Sequence, residues 1–508
     1  MSQGTFDGSM PRPVLEYYLS HAASAQWFSA SDTLDDDIRV VKKTGLKFLG
    51  RAAGIWKGDL PEEDDFARAK MAADKMHEAD PEVILQACIF EVVYREDLES
   101  VPVPAWAFEA FGLPVEDRNF RFDDCLFPPN VGAWDNMPDI SRQETQLWFY
   151  YRGRRYIDCG YEAFHMGQIH LYAAFDKGYA GIGKVIGMLR DYGKQHARRH
   201  KVLFDAHSHS LVVNGVSLLD YNAMPFTRWP FPDRPGEKLA LVREGKSGGG
   251  VSPEGVYEKA LPFLYEYDNW GGRDHWAYEH QTYAERAWNQ WWGGDQISWF
   301  ASQPEEERNK FLDYTFKWTA VNNPDGFFAF PLMRGIGVGG DGQDHVYKLN
   351  NRSAACPEGY SQEDEAARLL HMGYGAYRDL ANPSDLLDFG GRDVDDPETG
   401  VRYPEKVVLY GSFQPYVGAN ENDSNSEITR MYDIGDGKYA LAFVMPFAGT
   451  YDFGVSTWGT LSACVCRTHR FPYSGAGGKS PLVIEQDNTV VRVVFNIRTL
   501  EITVETRA

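Results

Sequence analysis

Leu261 to Gly272 reads LPFLYEYDNWGG, an apolar run that carries straight into two carboxylates, an amide, an indole and a glycine pair. In an extended chain successive side chains point to opposite faces, so Leu264, Glu266 and Asp268 share one face and Tyr265, Tyr267 and Asn269 the other. A buried strand that ends in acids is how a parallel α/β barrel carries its chemistry. Three further segments have the same texture: ILQACIFEVVY (Ile84 to Tyr94), YEAFHMGQIHLY (Tyr161 to Tyr172) and VLFDAHSHS (Val202 to Ser210). Strands far apart in sequence that each end in polar groups point to one convergent pocket.

Outward from these segments, β-like runs alternate with helical patterns from about Leu46 to Arg334. LKFLGRAAGIW, LLDYNAMPFTR and GFFAFPLMRGI join the four segments above to give seven parallel strands. Between them Phe66, Ala69, Ala73 and Met76, and then Ile182, Ile186 and Leu189, recur at helical spacing. The basic run KQHARRH suits a helix C-terminus ahead of VLFDAHSHS. Repeated βα units make either a (β/α)8 barrel or an open doubly wound sheet. The barrel is favoured, because an open sheet gathers its functional residues at one switch point and here they end many strands. Past Asp385 the texture becomes turn-rich, with short runs such as KVVLYGSFQPYV, KYALAFVMPFAG and TVVRVVFNIR. The expected architecture is α/β: a TIM-like (β/α)8 barrel over residues 1–398 with long loops, then an all-β sandwich over 399–508.

The 508 residues hold 51 basic and 73 acidic side chains, a net charge of -22, which argues against nucleic acid as a partner. A neutral or cationic ligand is the more natural one. The opening MSQGTFDGSM has neither a basic nor an apolar leader region, and no run reaches the roughly 20 apolar residues of a membrane span. A soluble, cytoplasmic protein with no membrane partner is expected, and a homo-oligomer is compatible with the sequence. Six cysteines, Cys88, Cys125, Cys159, Cys356, Cys464 and Cys466, are too few for a disulfide scaffold and lack paired zinc-binding spacing. GIGKVIG (Gly181 to Gly187) is not a dinucleotide fingerprint, and no helix pattern follows GIGVGGDGQDH (Gly335 to His345) to make a phosphate loop. No cofactor is expected.

Glu266 and Asp268, on one face, suit a general acid and a charge stabiliser; a solvated strand end or an ion pair with Arg273 is the structural alternative. On YEAFHMGQIHLY, Glu162 and Gln168 share a face and His165 falls on the other, with Gln168 and His170 nearer the C-terminal end. Asp205, His207 and His209 alternate, a spacing that could bind zinc given a further ligand such as His170, Asp268 or His275. Glu91 closes IFEVVY. Trp270, Trp276, Trp288, Trp291, Trp292 and Trp299 follow the acid-bearing strand, where flat rings could stack on sugars or pack a helix.

The segments DDDIRVVKKTGLKFLGRAAGIW, DPEVILQACIFEVVY, VPVPAWAFEAFGLP, HARRHKVLFDAHS and LPFLYEYDN, across about residues 35 to 345, resemble the glycoside-hydrolase type of barrel. More narrowly, the chain is similar to a poorly characterised group of bacterial barrel proteins. The resemblance implies a barrel with a carbohydrate-sized pocket and fits a C-terminal accessory sandwich; no established glycosidase signature is present. The expected function is hydrolysis of a neutral carbohydrate by carboxylate acid/base chemistry. Glu266 or Asp268 would be one catalytic carboxylate, with Glu91 or Glu162 opposite. Gln168, His170, Asp205, His207, Asn269, Trp270 and Arg334 would bind the sugar or tune those acids. The alternatives are a metal-dependent hydrolase centred on Asp205, His207 and His209, and a non-catalytic carbohydrate-binding barrel.

Overall fold

The computed structural model describes residues 4–54, 60–89, 92–128, 135–229, 241–268, 296–336, 345–383, 406–458, 463–466, 469–472 and 479–508. Eight parallel strands form its first unit: β1 (Ala22–Ala25), β2 (Phe48–Ala53), β3 (Ile84–Cys88), β4 (Ala163–His165), β5 (Leu203–Asp205), β6 (Asn222–Pro225), β7 (Phe263–Glu266) and β8 (Gly326–Ile336). They neighbour one another in the order β5-β4-β3-β2-β1-β8-β7-β6. A parallel bridge from His207 to Ala223 closes the ring between β5 and β6. The barrel fold expected from sequence is therefore present, and every strand delivers its C-terminal end to the same rim.

The strand absent from the sequence reading is β1, whose residues AASA lie ahead of Leu46, where the alternation was expected to begin. Its four side chains are all buried, yet none is β-branched or aromatic, so nothing in its composition marks it as extended. The expected long strand Tyr161–Tyr172 is also corrected. Only Ala163–His165 is extended; Gly167, at φ +59°, turns the chain, and Ile169–Tyr172 is a helical turn.

The helices follow the sequence physics. In α1 (Leu34–Thr44), Asp35, Asp36 and Asp37 occupy the first turn and Lys42 and Lys43 the last, matching the helix dipole. Gly45, at φ +79°, ends it in the left-handed conformation. Helix α2 (Glu62–Ala79) buries Phe66, Ala69, Ala73 and Met76, the face expected from their spacing. GIGKVIG lies inside α3 (Ala180–His196), in regular helix rather than a phosphate loop.

The first compact unit comprises Met1–Phe226, Glu244–Ser302 and Phe327–His371. The second comprises Thr227–Arg243, Gln303–Gly326 and Met372–Ala508; residue 398, the expected boundary, lies outside the described residues. Within it, β9 (Lys406–Gly411) pairs antiparallel with β12 (Gly449–Trp458), while β10 (Tyr432–Gly435) and β11 (Lys438–Met445) belong to a second antiparallel sheet. Leu409, Phe443, Phe453, Val493 and Phe495, drawn from both sheets, share one core, as in a sandwich. Cys88, Cys125, Cys159 and Cys356 are buried free thiols. Among the described residues no helix is long and apolar enough to cross a membrane.

Candidate active site

The site begins with an irregularity in β2. Leu49 pairs with Leu85 and Ala53 with Ala87, so four steps along β2 span two along β3. Arg51 sits inside this bulge with φ +58°, a left-handed conformation that costs a non-glycine residue about 1–2 kcal/mol. Its amide, displaced from the ladder, donates to Gln86 Oε1 at 3.0 Å. Bulges of this kind re-aim side chains, and here the buried guanidinium joins a cluster drawn from other strands.

That cluster is a charged network at the strand C-termini. Arg51 Nη1 donates to Asp268 Oδ2 at 3.0 Å, and Nη2 reaches both Glu266 Oε1 and His207 Nε2, the latter at 2.7 Å. From β8, Arg334, with no exposed surface, donates to Ser24 Oγ at 2.7 Å and Glu266 Oε2 at 3.5 Å, and also to Asp268 Oδ1. Ser24, at the end of β1, donates to Glu266 Oε2 at 3.2 Å. Each carboxylate therefore meets both guanidiniums, which is what permits two like charges two residues apart to be buried together.

A second layer joins this one through Gln86. Its Nε2 donates to Asp205 Oδ1 at 2.5 Å and Tyr221 Oη at 2.9 Å. The other Asp205 oxygen lies 2.9 Å from His165 Nδ1, and the His165 and His207 rings meet edge to face with centroids 4.8 Å apart. Backbone strain at Arg51, the Gln86 amide, Asp205 and the two imidazoles thus form one connected array from β2 to β5.

The surroundings drive the two central carboxyls apart. Burial, with the nearby Glu266 charge adding to it, pushes Asp205 up to about 7 against the pull of Arg51 and the Tyr221 hydroxyl. Burial would raise Glu266 too, and Asp268 repels it, but the charges of Arg51 and Arg334 outweigh both and hold it near 2. His165 is kept well below the ordinary imidazole range by burial and by the charge of Arg51. Below about pH 7 the site therefore holds one carboxyl that keeps its proton and one that does not, the division that acid/base chemistry needs.

Of the sequence candidates, Glu266, Asp268, Asp205, His207 and Arg334 come together. Glu162 does not, and its expected catalytic place is corrected. It precedes β4, at the opposite end of the strand, and its buried carboxylate is held by Arg198 at 2.9 Å and Arg199 at 2.5 Å. Gln168 and His170 lie beyond the β4 terminus, not on a strand; the exposed His170 bonds Tyr179 Oη and Ser208 Oγ, each at 3.2 Å. Glu91, Asn269 and Trp270 lie outside the described residues, as do Arg273, His275, Trp276, Trp288, Trp291 and Trp292, whereas Trp299 lies on helix Gln296–Ser302.

The zinc trio of the alternative reading does not assemble: His209 turns to Glu244 Oε1 at 2.8 Å and stacks on Phe263. His207, Glu266 and Asp268 do offer donor atoms within 4.8 Å of one another. Arg51 bonds all three, so its positive charge opposes a cation there. Arg51, Ser24, Gln86, His165 and Tyr221 were not among the sequence candidates. Only His165 carried a readable signal, since it ends an apolar strand with a titratable ring.

No protein-family model matches the chain, and no curated protein matches it in sequence. Solved structures do. A pullulanase from Bacillus acidopullulyticus aligns at 20% identity and TM-score 0.16 over 22% of this chain and only 14% of its own. A GH27 β-L-arabinopyranosidase from Geobacillus stearothermophilus aligns at 9% identity and TM-score 0.35, over 87% of this chain and 88% of that one. Amy13B from Eubacterium rectale aligns at 10% identity and TM-score 0.38, over 93% of each. At these scores the likenesses carry no argument, and the chemistry rests on the site itself.

Proposed function

We propose that the C-terminal rim of the barrel is the active site of a glycoside hydrolase acting on a neutral carbohydrate by carboxylate acid/base chemistry. The observation that carries this reading is the buried network at the strand C-termini that links Asp205, through Gln86 and Arg51, to Glu266 and Asp268, in surroundings that raise Asp205 to about 7 and hold Glu266 near 2. Glycosidic cleavage uses such a pair: one carboxyl delivers a proton toward the leaving oxygen, and an ionised one serves as nucleophile, base or charge stabiliser. Asp205, sharing its proton with His165, is the acid, and Glu266 with Asp268 is the anionic partner. Charge favours an uncharged substrate, because Arg51 and Arg334 are already matched by Glu266 and Asp268.

The test is a panel of aryl glycosides and neutral oligosaccharides, run with and without chelator. Release of free sugar that persists in chelator supports the reading. No turnover on any glycoside, or turnover that chelation abolishes and zinc restores, refutes it.

A further inference from the structure

Arg51 occupies a place that the sequence pattern does not explain. It is a long charged residue in a left-handed conformation, in the middle of a barrel strand, at a bulge whose amide is caught by a buried glutamine. Strained residues persist where the surrounding structure over-determines them, and they gather at working sites. We propose that Arg51 is a positioning residue, whose guanidinium fixes one tautomer of His207 and clamps Glu266 and Asp268 in a single arrangement. The inference deepens the proposed hydrolase site and rests on that reading for its catalytic consequence.

The tautomer follows from donor chemistry. A guanidinium only donates, so Arg51 Nη2 at 2.7 Å from His207 Nε2 requires a lone pair on that nitrogen. In the neutral ring the proton is then on Nδ1. His207 Nε2 is also 3.2 Å from Glu266 Oε1, and with its lone pair turned to Arg51 it cannot donate to that carboxylate. Glu266 is thus left to Arg51, Arg334 and Ser24, and remains an undivided acceptor.

Seven of the eight barrel strands, or the residues just past their ends, contribute a group: Ser24 from β1, Arg51 from β2, Gln86 from β3, His165 from β4, Asp205 and His207 at and past the end of β5, Glu266 and Asp268 at and past the end of β7, and Arg334 from β8. Arg334 alone cannot replace Arg51, because it bonds the other oxygen of each carboxylate, and its donor bonds include none to His207. Lysine cannot replace it either, since one ammonium cannot span the three acceptors with a planar fork.

The experiment is nitrogen NMR of the full-length protein labelled at histidine, with the His207 resonances identified by their loss in His207→Gln. In the wild-type protein His207 is expected as the neutral ring protonated at Nδ1. In Arg51→Lys that preference is expected to vanish, and on a glycoside that the enzyme turns over kcat is expected to fall at least about tenfold while KM stays within about threefold. A wild-type ring protonated at Nε2, or an Arg51→Lys protein with wild-type spectrum and kcat, would overturn the assignment. The wild-type spectrum decides even if Arg51→Lys fails to fold. If no glycoside is turned over, the hydrolase reading fails while the His207 spectra still decide the place of Arg51.

Discussion

Replacing Asp205 by asparagine should stabilise the protein at high pH and not at low pH. The wild-type carboxyl is buried with a folded pKa raised from 3.8 to about 7. The native state therefore binds this proton more tightly than the unfolded chain does. Below pH 4 both states are protonated and the group is neutral to stability. As pH rises through 4 the unfolded chain ionises while Asp205 stays protonated, so stability falls, and the fall ends only above pH 7. The full loss is about 4 kcal/mol, of which roughly 2.5 kcal/mol accrues between pH 5 and pH 8. Asparagine keeps the shape, accepts from Gln86 through its carbonyl and can donate to a His165 ring whose proton has moved to Nε2. Urea unfolding of both proteins, followed by circular dichroism and tryptophan fluorescence across this range, measures the difference while the other titrations largely cancel. A gap between variant and wild type that widens by about 2.5 kcal/mol toward pH 8 is expected. A constant gap, or one that narrows as pH rises, refutes the protonated Asp205.

The same proton makes turnover fall as pH rises through about 7, which a kcat profile on an active glycoside checks, and Asp205→Asn should abolish that turnover at every pH. Arg334→Met leaves Asp268 and Glu266 with one cation and should cost about 3–5 kcal/mol in urea unfolding, with part of the loss restored when Asp268→Asn is added. Glu162→Gln breaks the anchor to Arg198 and Arg199 at the far end of the barrel; it should lower stability by about 2 kcal/mol and leave kcat within about twofold. Exhaustive chelation should leave activity unchanged, because Arg51 bonds the donors that a cation would need.

Local alternation was enough to put Glu266 and Asp268 on one face and to place Asp205 and His207 together, since a two-residue period needs nothing beyond the strand itself. The same parity separated Glu162 from His165 but could not say which of them faced the barrel interior. That choice depends on strand ends and on Arg198 and Arg199, which are distant in sequence. The first strand escaped because AASA is buried by its neighbours rather than marked by its own residues. Arg51 escaped for the opposite reason: its inward aim comes from a bulge and a positive φ, and a bulge removes the alternation by which a strand is read. Gln86 and Tyr221 have no meaning without that bulge and the Asp205 they hold.

The central claim is that Glu266, at the end of β7, is an ionised carboxylate that acts on a bound sugar. Turnover of the best glycoside by Glu266→Gln, compared with wild type in a protein of unchanged circular dichroism, tests it most directly. The amide keeps the side chain's shape but can neither carry the charge nor exchange the proton, so kcat should fall at least about a hundredfold. Activity within a few-fold of wild type would contradict the account.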